Sequence, residues 1–226
     1  MRPSPVIQHN SRLVPSVCQT SVAILAGGQS SRMGSDKAML RLQQKGPMLL
    51  ERVIAATSSL TGDLFVVSRS EDDYRGFGVP VVADRFPGTG VLGAIGTALQ
   101  HAMHSNVLVV SCDMPFLNKA ALSWMTSIND QCDAIVPVFN QQTHQGGDFT
   151  YQTLHAVYRR SCLQAIESEL RKGNRKVISF FDKVIVRQVS EMEMRAFDPE
   201  LLTFMSVNTP EALQQAAELE RVSQST

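Results

Sequence analysis

The chain has no excess of charge of either sign. Its 226 residues include 21 Lys and Arg and 21 Asp and Glu, so the formal net charge is zero. A neutral protein has no global field to hold the phosphates of DNA or RNA, which argues against a protein that coats nucleic acid. The balance still leaves room for a local basic site.

Paired cysteines and long apolar runs are also missing. The four cysteines form no Cys-x-x-Cys pair, so neither a zinc ribbon nor a thioredoxin-type motif is present. Scattered single cysteines are typical of reduced thiols in a cytosolic protein. No apolar run approaches the ~20 residues that cross a bilayer. These features predict a cytoplasmic protein with no membrane partner.

Motifs for nucleophilic or histidine-metal chemistry are absent as well. The sequence contains no Gly-x-Ser-x-Gly, the motif that presents a nucleophilic serine. Five histidines occur without metal-ligand spacing, and all are expected at the surface: His9, His101, His104, His144 and His155.

What the chain does contain is an alternation of strand and helix patterns. Short apolar runs predict strands at residues 21–26, 63–68, 79–84, 106–113, 133–139, 151–158 and 184–189. Helical patterns begin at Pro47 and Thr209 and cover residues 90–104, 118–128 and 161–172. This order predicts a single-domain α/β fold, a mostly parallel twisted sheet with helices on both faces, as in Rossmann-like proteins. Pro137 indicates an edge strand or a bend.

The first residues differ in character from the rest. Residues 1–20 are polar and contain three prolines, which predicts a flexible N-terminal extension. Residues 21–226 are then the domain. In open parallel sheets, ligands bind outside the carboxyl ends of the strands. We therefore expect the loop after residue 26, Asp84 and Asp113 to share one crevice.

A glycine-rich loop with two cations follows the first strand. Residues 25–37 read Leu-Ala-Gly-Gly-Gln-Ser-Ser-Arg-Met-Gly-Ser-Asp-Lys, which is neither a Walker loop nor a Gly-x-Gly-x-x-Gly motif. Gly27 and Gly28 allow backbone N–H groups to turn toward an anion. Arg32 offers a planar fork for phosphate oxygens, and Lys37 a compact charge. The combination predicts a polyphosphate site.

Two aspartates end strands at the same predicted edge. Asp113 precedes Met-Pro, which favours an extended backbone at the strand end, and its carboxylate suits Mg²⁺ beside a triphosphate. Asp84 could contact a base or ribose or help set the metal site; a turn cap or an ion pair with Arg85 explains it equally well. Gly93 permits either close approach of a ligand or helix packing.

The glycine-rich loop closely resembles the opening of the molybdenum cofactor guanylyltransferases. Cys-Asp-Met-Pro at residues 112–115 is similar to a strand end of that family. Residues 90–95, 154–158 and 208–213 (Gly-Val-Leu-Gly-Ala-Ile, Leu-His-Ala-Val-Tyr and Asn-Thr-Pro-Glu-Ala-Leu) look like its later landmarks. Val91 departs from the family pattern, in which proline is usual at this position. The resemblance spans most of the chain from Ser21 to Leu213.

The resemblance implies transfer of GMP from GTP to molybdopterin, with Mg²⁺ as cofactor and pyrophosphate as the second product. It assigns nucleotide binding to Leu25, Ala26, Gly27, Gly28, Lys37, Asp84 and Asp113, catalytic charge stabilisation to Arg32, Lys37 and Asp113, and the metal to Asp113. It also implies transient contacts with other proteins of molybdenum cofactor biosynthesis.

Three alternatives stay open at this point. A cytidylyltransferase of the same broad family resembles Leu-Ala-Ala-Gly, whereas this chain has Leu-Ala-Gly-Gly, and Gly27 leaves more room beside a purine. A sugar-1-phosphate nucleotidyltransferase usually carries Gly-x-Gly-Thr-Arg here. A catalytically inactive nucleotide-binding protein is disfavoured by the presence of Arg32, Lys37, Asp84 and Asp113.

Overall fold

A computed structural model describes residues 20–27, 36–141 and 148–224 of the chain. Its strands are β1 Thr20–Leu25, β2 Leu64–Ser68, β3 Val81–Ala83, β4 Asn106–Ser111, β5 Ala134–Gln141, β6 Asp148–Tyr151, β7 His155–Arg159 and β8 Val186–Ser190. Its α-helices are α1 Leu49–Thr57, α2 Val91–His101, α3 Lys119–Ser127, α4 Leu163–Arg171, α5 Glu191–Arg195 and α6 Pro210–Gln224.

The eight strands form a single mixed sheet. Its order is β3-β2-β1-β4-β7-β5-β6, and β8 also pairs with β5. The first four strands are mutually parallel, β5 and β8 run in the same direction as they do, and β6 and β7 run the other way. The predicted α/β class and mostly parallel sheet are thereby confirmed.

Continuous apolar runs form the central strands because both faces of the sheet are covered. In β1, Ala23 and Leu25 belong to one core cluster with α2 and α4, while Val22 and Ile24 belong to the other with α1 and α3. The same alternation continues in β4. Parallel strands buried on both sides need apolar residues at every position, which is why their sequences do not alternate with polar ones.

Strand β5 is not at an edge, contrary to one of the two interpretations of Pro137. It pairs with β7 and β6 and, through residues 134–138, with β8. The chain between β6 and β7 leaves the strand conformation at residues 152–154, and the N–H of Gln152 donates to the carbonyl of Pro137. Pro137 has no N–H to donate. The interruption between β6 and β7 therefore lies beside Pro137.

The sequence patterns do not predict the helical segments on either side of β8. A 3₁₀-helix covers Val177–Lys183, and α5 is a short helix whose N-terminus is capped by Ser190 and Glu193. Each covers seven residues or fewer, which is too short to produce a clear helical periodicity. Across the described ranges, no helix is long and apolar enough to cross a membrane.

Candidate functional site

The carboxyl ends of β1 to β4 lie along one edge of the sheet. Three backbone hydrogen bonds extend the ladders past the strand ends: Ala26 to Val67, Cys112 to Leu25 and Asp84 to Ser68. These bonds place Gly27, Asp84 and Asp113 at a common edge. Because β3 and β4 are separated by β2 and β1, the two aspartates stand about three strand spacings apart, roughly 14 Å. Such a span accommodates an extended ligand.

Gly27 leaves β1 in a conformation that suits only glycine. Its φ is +104°, and a Cβ at this position would lie 3.0 Å from Oγ of Ser68 and 3.4 Å from the backbone nitrogen of Arg69. A side chain here would require a strained backbone and would also lie too close to the end of β2. The requirement for glycine is conformational and does not depend on which base is bound.

Lys37, the last residue of the glycine-rich loop, is the first residue of a 3₁₀-helix, Lys37–Met39. Asp36 caps this helix, since its Oδ1 accepts from the N–H of Ala38 at 3.0 Å. Ala38 is fully buried, so the short helix is fixed to the core on one side. The cap and the buried alanine together leave the Lys37 side chain directed to the sheet edge.

Lys37 and Asp113 form the centre of the site. Nζ of Lys37 lies 3.2 Å from Oδ2 of Asp113, and both side chains are largely buried. The same ammonium also donates to Oδ1 of Asn208. The backbone carbonyl of Asp113 accepts from Val207 at 2.9 Å, which ties the segment before α6 to the end of β4. A cation and a carboxylate 76 residues apart in the chain are thereby brought into contact.

Asn208 is a member of this arrangement that sequence reasoning missed. The Asn-Thr-Pro sequence resembles a family landmark, but its position in the chain does not indicate a contact with Lys37. The available signal is a polar residue two positions before a helix that begins with Pro210. Only the docking of α6 against the first half of the chain brings Asn208 to the site.

Asp84 occupies the far end of the sheet edge and serves the local backbone. Its Oδ1 accepts from the N–H of Phe86 at 2.9 Å and from the hydroxyl of Thr97 at 2.7 Å. This is the turn-cap role that the sequence left open, and the described ranges show no ion pair with Arg85. The carboxylate thereby links the loop that follows β3 to Thr97 of α2.

Gly93 is a packing position. A Cβ there would lie 1.9 Å from Oγ1 of Thr89, 2.8 Å from Cβ of Phe86 and 3.0 Å from the carbonyl oxygen of Phe86. The loop after β3 therefore rests directly on the first turn of α2. Of the two interpretations of this glycine, contact within the protein is the one that the geometry supports.

Leu25 and Ala26 lie at the end of β1, where Leu25 is buried and Ala26 is partly exposed. Gly28 and Arg32, the other two predicted ligands in the loop, lie outside the described residues. Lys37 and Asp113 are the two predicted residues that the structure brings into direct contact. Asp84 shares their edge of the sheet without touching them.

His155 is buried, which corrects the expectation that every histidine lies at the surface. Its exposed fraction is 0%, and its ring lies 4.5 Å from that of Phe204, centroid to centroid. Burial lowers the pKa of His155 to about 3. The residue begins β7 and pairs with Val110 of the central strand β4. This position buries a side chain that the sequence predicts at the surface.

The chemistry of the Asp113 end of the site fits a magnesium ion carried by a triphosphate. Mg²⁺ typically takes one or two carboxylates from the protein and completes its octahedron with waters and phosphate oxygens. Asp113 supplies one carboxylate at the strand end. No group of three or more metal-ligating side chains occurs in the part of the chain that the structure describes. A single protein carboxylate fits an ion whose other ligands are substrate oxygens and waters.

The comparison with protein families decides the classification. A family model described as "MobA-like NTP transferase domain" matches residues 22–188. The chain belongs to this family. The match contains most of β1, the strand ends and both Lys37 and Asp113, and it ends before the segment that carries Asn208. As a member of this family, the protein is a nucleotidyltransferase.

Curated relatives resemble the chain over most of its length. A molybdenum cofactor guanylyltransferase of Desulfosudis oleivorans is 34% identical over 194 residues, 85% of this chain and 92% of the relative. A probable molybdenum cofactor guanylyltransferase of Pelotomaculum thermopropionicum is 35% identical over 198 residues, 88% of this chain and 92% of the relative.

Solved structures agree with the fold. Molybdopterin-guanine dinucleotide biosynthesis protein A from Archaeoglobus fulgidus superposes with a TM-score of 0.74 at 27% identity, covering 89% of this chain and 99% of that one. A 2-C-methyl-D-erythritol 4-phosphate cytidylyltransferase from Thermus thermophilus reaches 0.64 at 19% identity, covering 89% and 98%. The second likeness shows the shared Rossmann-like fold and no more.

Proposed function

We propose that this protein transfers GMP from GTP to the terminal phosphate of molybdopterin, releasing pyrophosphate and forming a guanine dinucleotide. The observation that carries the proposal is the Lys37–Asp113 pair at the end of β4, the strand that pairs with β1 and so neighbours the strand leading into Gly27. Identity of 34% and 35% to proteins named for this activity supports the choice of substrates.

The reaction is a substitution at the α-phosphorus of GTP. An oxygen of the molybdopterin phosphate forms a bond to that phosphorus, and the bond from it to the oxygen bridging to the β-phosphate breaks. The electron pair of the broken bond leaves with pyrophosphate. Because the attacking phosphate is already an anion, the step needs no strong general base. Positioning and charge neutralisation are what the protein must supply.

Lys37 is suited to neutralise triphosphate charge. Its ammonium already lies beside Asp113 and Asn208, so its long side chain is held in place before a ligand arrives. Preorganised charge of this kind is worth roughly 3 kcal/mol of barrier per group, about a hundredfold in rate. We assign Arg32 to the same task on its sequence position alone.

Asp113 is the residue that would hold Mg²⁺, which would add charge neutralisation of the triphosphate when bound. Asp113 also holds Lys37, so the carboxylate has a second task that does not depend on the metal. Gly27, Leu25 and Ala26 form the floor of the proposed nucleotide site, to which we add Gly28 from the sequence. Asp84 shapes the loop at the opposite end.

We place the reaction in the cytoplasm. Cys112, Cys132 and Cys162 are free thiols in the structure, as is usual for proteins of a reducing compartment. Proteins that make or use molybdopterin are the proposed transient partners, because the acceptor and the product must pass between enzymes.

The proposal is tested by incubating the purified protein with GTP, Mg²⁺ and molybdopterin and measuring pyrophosphate release and dinucleotide formation. We expect both products in equal amounts, and neither without the acceptor. If the protein binds GTP but forms no product even with Mg²⁺ and molybdopterin present, the inactive nucleotide-binding alternative is favoured and the proposed reaction is rejected.

Variants of the central pair test the assigned residues. We predict that Asp113→Asn and Lys37→Ala keep the fold with reduced stability, because each leaves one partner of a largely buried pair uncompensated. Both should lose about a hundredfold in kcat/KM, because each removes a charge that the transition state needs. Circular dichroism and thermal unfolding check the fold, and initial rates of pyrophosphate release report activity. Near-full activity in Asp113→Asn would contradict its assignment as the metal ligand.

The cytidylyltransferase alternative is distinguished by the nucleotide. The need for glycine at position 27 is explained by its φ of +104°, so this residue is not by itself a mark of purine selection. Competition between equal concentrations of GTP and CTP for the acceptor measures the choice directly. We expect the guanine product to dominate, whereas a predominant cytosine product would transfer the assignment to CTP.

A further inference from the structure

The connection from β2 to β3, residues 69–80, contacts both points at which the chain enters and leaves the glycine-rich loop. At the first point, a Cβ added to Gly27 would lie 3.4 Å from the backbone nitrogen of Arg69, the first residue of the segment. At the second, the hydroxyl of Tyr74 donates to Oδ2 of Asp36 at 2.7 Å. One segment therefore fixes both ends of the proposed phosphate-binding loop.

Hydrogen bonds to Asp73 hold the start of this segment. Oδ2 of Asp73 accepts from the hydroxyl of Ser68 at 2.7 Å and from the N–H of Ser70 at 3.2 Å. This carboxylate closes the turn that directly follows β2. Ser68 is buried, so the turn begins from a fixed point of the sheet.

Tyr74 adopts a backbone conformation that is unusual for its type. Its φ of +59° lies in the left-handed region, where a bulky residue is seldom found. Its ring packs on the apolar cluster beside α1 and makes an edge contact with Phe77, with centroids 6.0 Å apart. Strained positions of this kind persist when the surrounding structure fixes them, and they concentrate at functional sites.

The hydrogen bond from Tyr74 acts on the residue next to Lys37. Oδ1 of Asp36 caps the 3₁₀-helix that Lys37 begins, while Oδ2 of the same carboxylate accepts from Tyr74. Rotation of the Asp36 side chain would break both bonds. Burial and the neighbouring Asp36 carboxylate raise the pKa of Tyr74 far above its ordinary value, so the hydroxyl remains a donor at neutral pH.

We propose that Tyr74 is a positioning residue for nucleotidyl transfer, which acts through Asp36 to hold Lys37 against Asp113. Among the described residues, the hydroxyl of Tyr74 reaches Lys37 only through Asp36. Its contribution is to the geometry of the cation that neutralises the triphosphate. The inference rests on the proposed role of Lys37 and adds a residue that no sequence motif indicated.

The test is a double-mutant cycle in which GTP binding and turnover are measured separately. Tyr74→Phe removes one oxygen and keeps the ring. We expect about a tenfold fall in kcat/KM and a similar weakening of GTP binding, measured by titration without acceptor. Tyr158→Phe is the matched control, because its hydroxyl donates to Thr153 and its strand position pairs with Val107, at the opposite end of β4. The control should leave GTP binding within about twofold of the original protein.

The second arm repeats the titration in a Lys37→Ala background. If Tyr74 acts through Lys37, the added Tyr74→Phe change should alter the GTP dissociation constant by less than about twofold. A full tenfold effect in that background, or no effect of Tyr74→Phe in the original protein, overturns the proposal. Failure of the proposed function is distinguishable, since then the unaltered protein forms no dinucleotide and Lys37→Ala binds GTP as the original does.

Discussion

At the residue scale, the site depends on a few side chains whose positions are held by groups that do not themselves meet a ligand. Lys37 contacts Asp113 and Asn208, and Asp36 caps the helix from which Lys37 extends. Gly27 was predicted from its sequence context, and the structure adds the reason that its φ is positive. His155 is the residue for which sequence and structure disagree most.

His155 makes stability depend on pH. Burial holds its pKa at about 3, against the ordinary value of 6.5, so it is neutral when the protein is folded. Between pH 6.5 and 3, the unfolded chain binds a proton at this position that the folded chain does not. The contribution of this group to the free energy of unfolding is therefore fully present above pH 6.5. It is lost progressively as the pH falls from 6.5 to 3, by up to about 1.4 kcal/mol per pH unit.

The measurement is the free energy of urea unfolding at several pH values for the original protein and for His155→Phe. The apolar ring keeps most of the packing against Phe204 but cannot take up a proton. We expect the variant to lose the steep part of the decline below pH 6.5. Parallel curves for the two proteins would show that His155 is not the titrating group.

At the element scale, the strand ends and the loops after them carry the proposed chemistry, while the helices hold those loops in place. The sequence correctly predicts the strands that contribute, because runs buried on both faces are continuous and apolar. It does not give the partner of each loop. The loop after β3 packs on α2 through Phe86 and Thr89, and this contact requires Gly93.

Gly93→Ala tests this packing. The new methyl group would collide with Cβ and the carbonyl oxygen of Phe86, so we expect a loss of about 1–3 kcal/mol in the free energy of unfolding. Gly62→Ala is the matched control, since a Cβ at Gly62 meets nothing within 4 Å. Chemical denaturation of both variants gives the comparison. Equal stability of the two would mean that the loop shifts without cost.

At the scale of the whole molecule, the last helix completes a site built by the first half of the chain. Helix α6 packs through Ala216 against a small core that includes Leu42 and Leu49. This docking places Val207 and Asn208 beside Asp113 and Lys37. An ion pair at 2.5 Å between Arg52 of α1 and Glu220 of α6 also joins α6 to the first half of the chain. Both side chains are largely buried.

Removal of one partner of this ion pair should weaken the whole fold. We predict that Glu220→Ala lowers the free energy of unfolding by about 3 kcal/mol, because Arg52 is left as an uncompensated charge. In the double variant Arg52→Met/Glu220→Leu, apolar packing replaces the pair and most of the loss should be regained. Urea unfolding measures both. A single variant as stable as the original protein would contradict the prediction.

The amino-acid sequence by itself determined the fold class, the order of most strands and helices, and the identity of the loop that resembles the guanylyltransferases. These features follow from local periodicity, from apolar runs and from short motifs. The tertiary structure decided which distant residues meet: Lys37 with Asp113, Asn208 with Lys37, and Tyr74 with Asp36. Such contacts arise where parallel strands end side by side and a terminal helix docks, and neither arrangement leaves a pattern in consecutive residues.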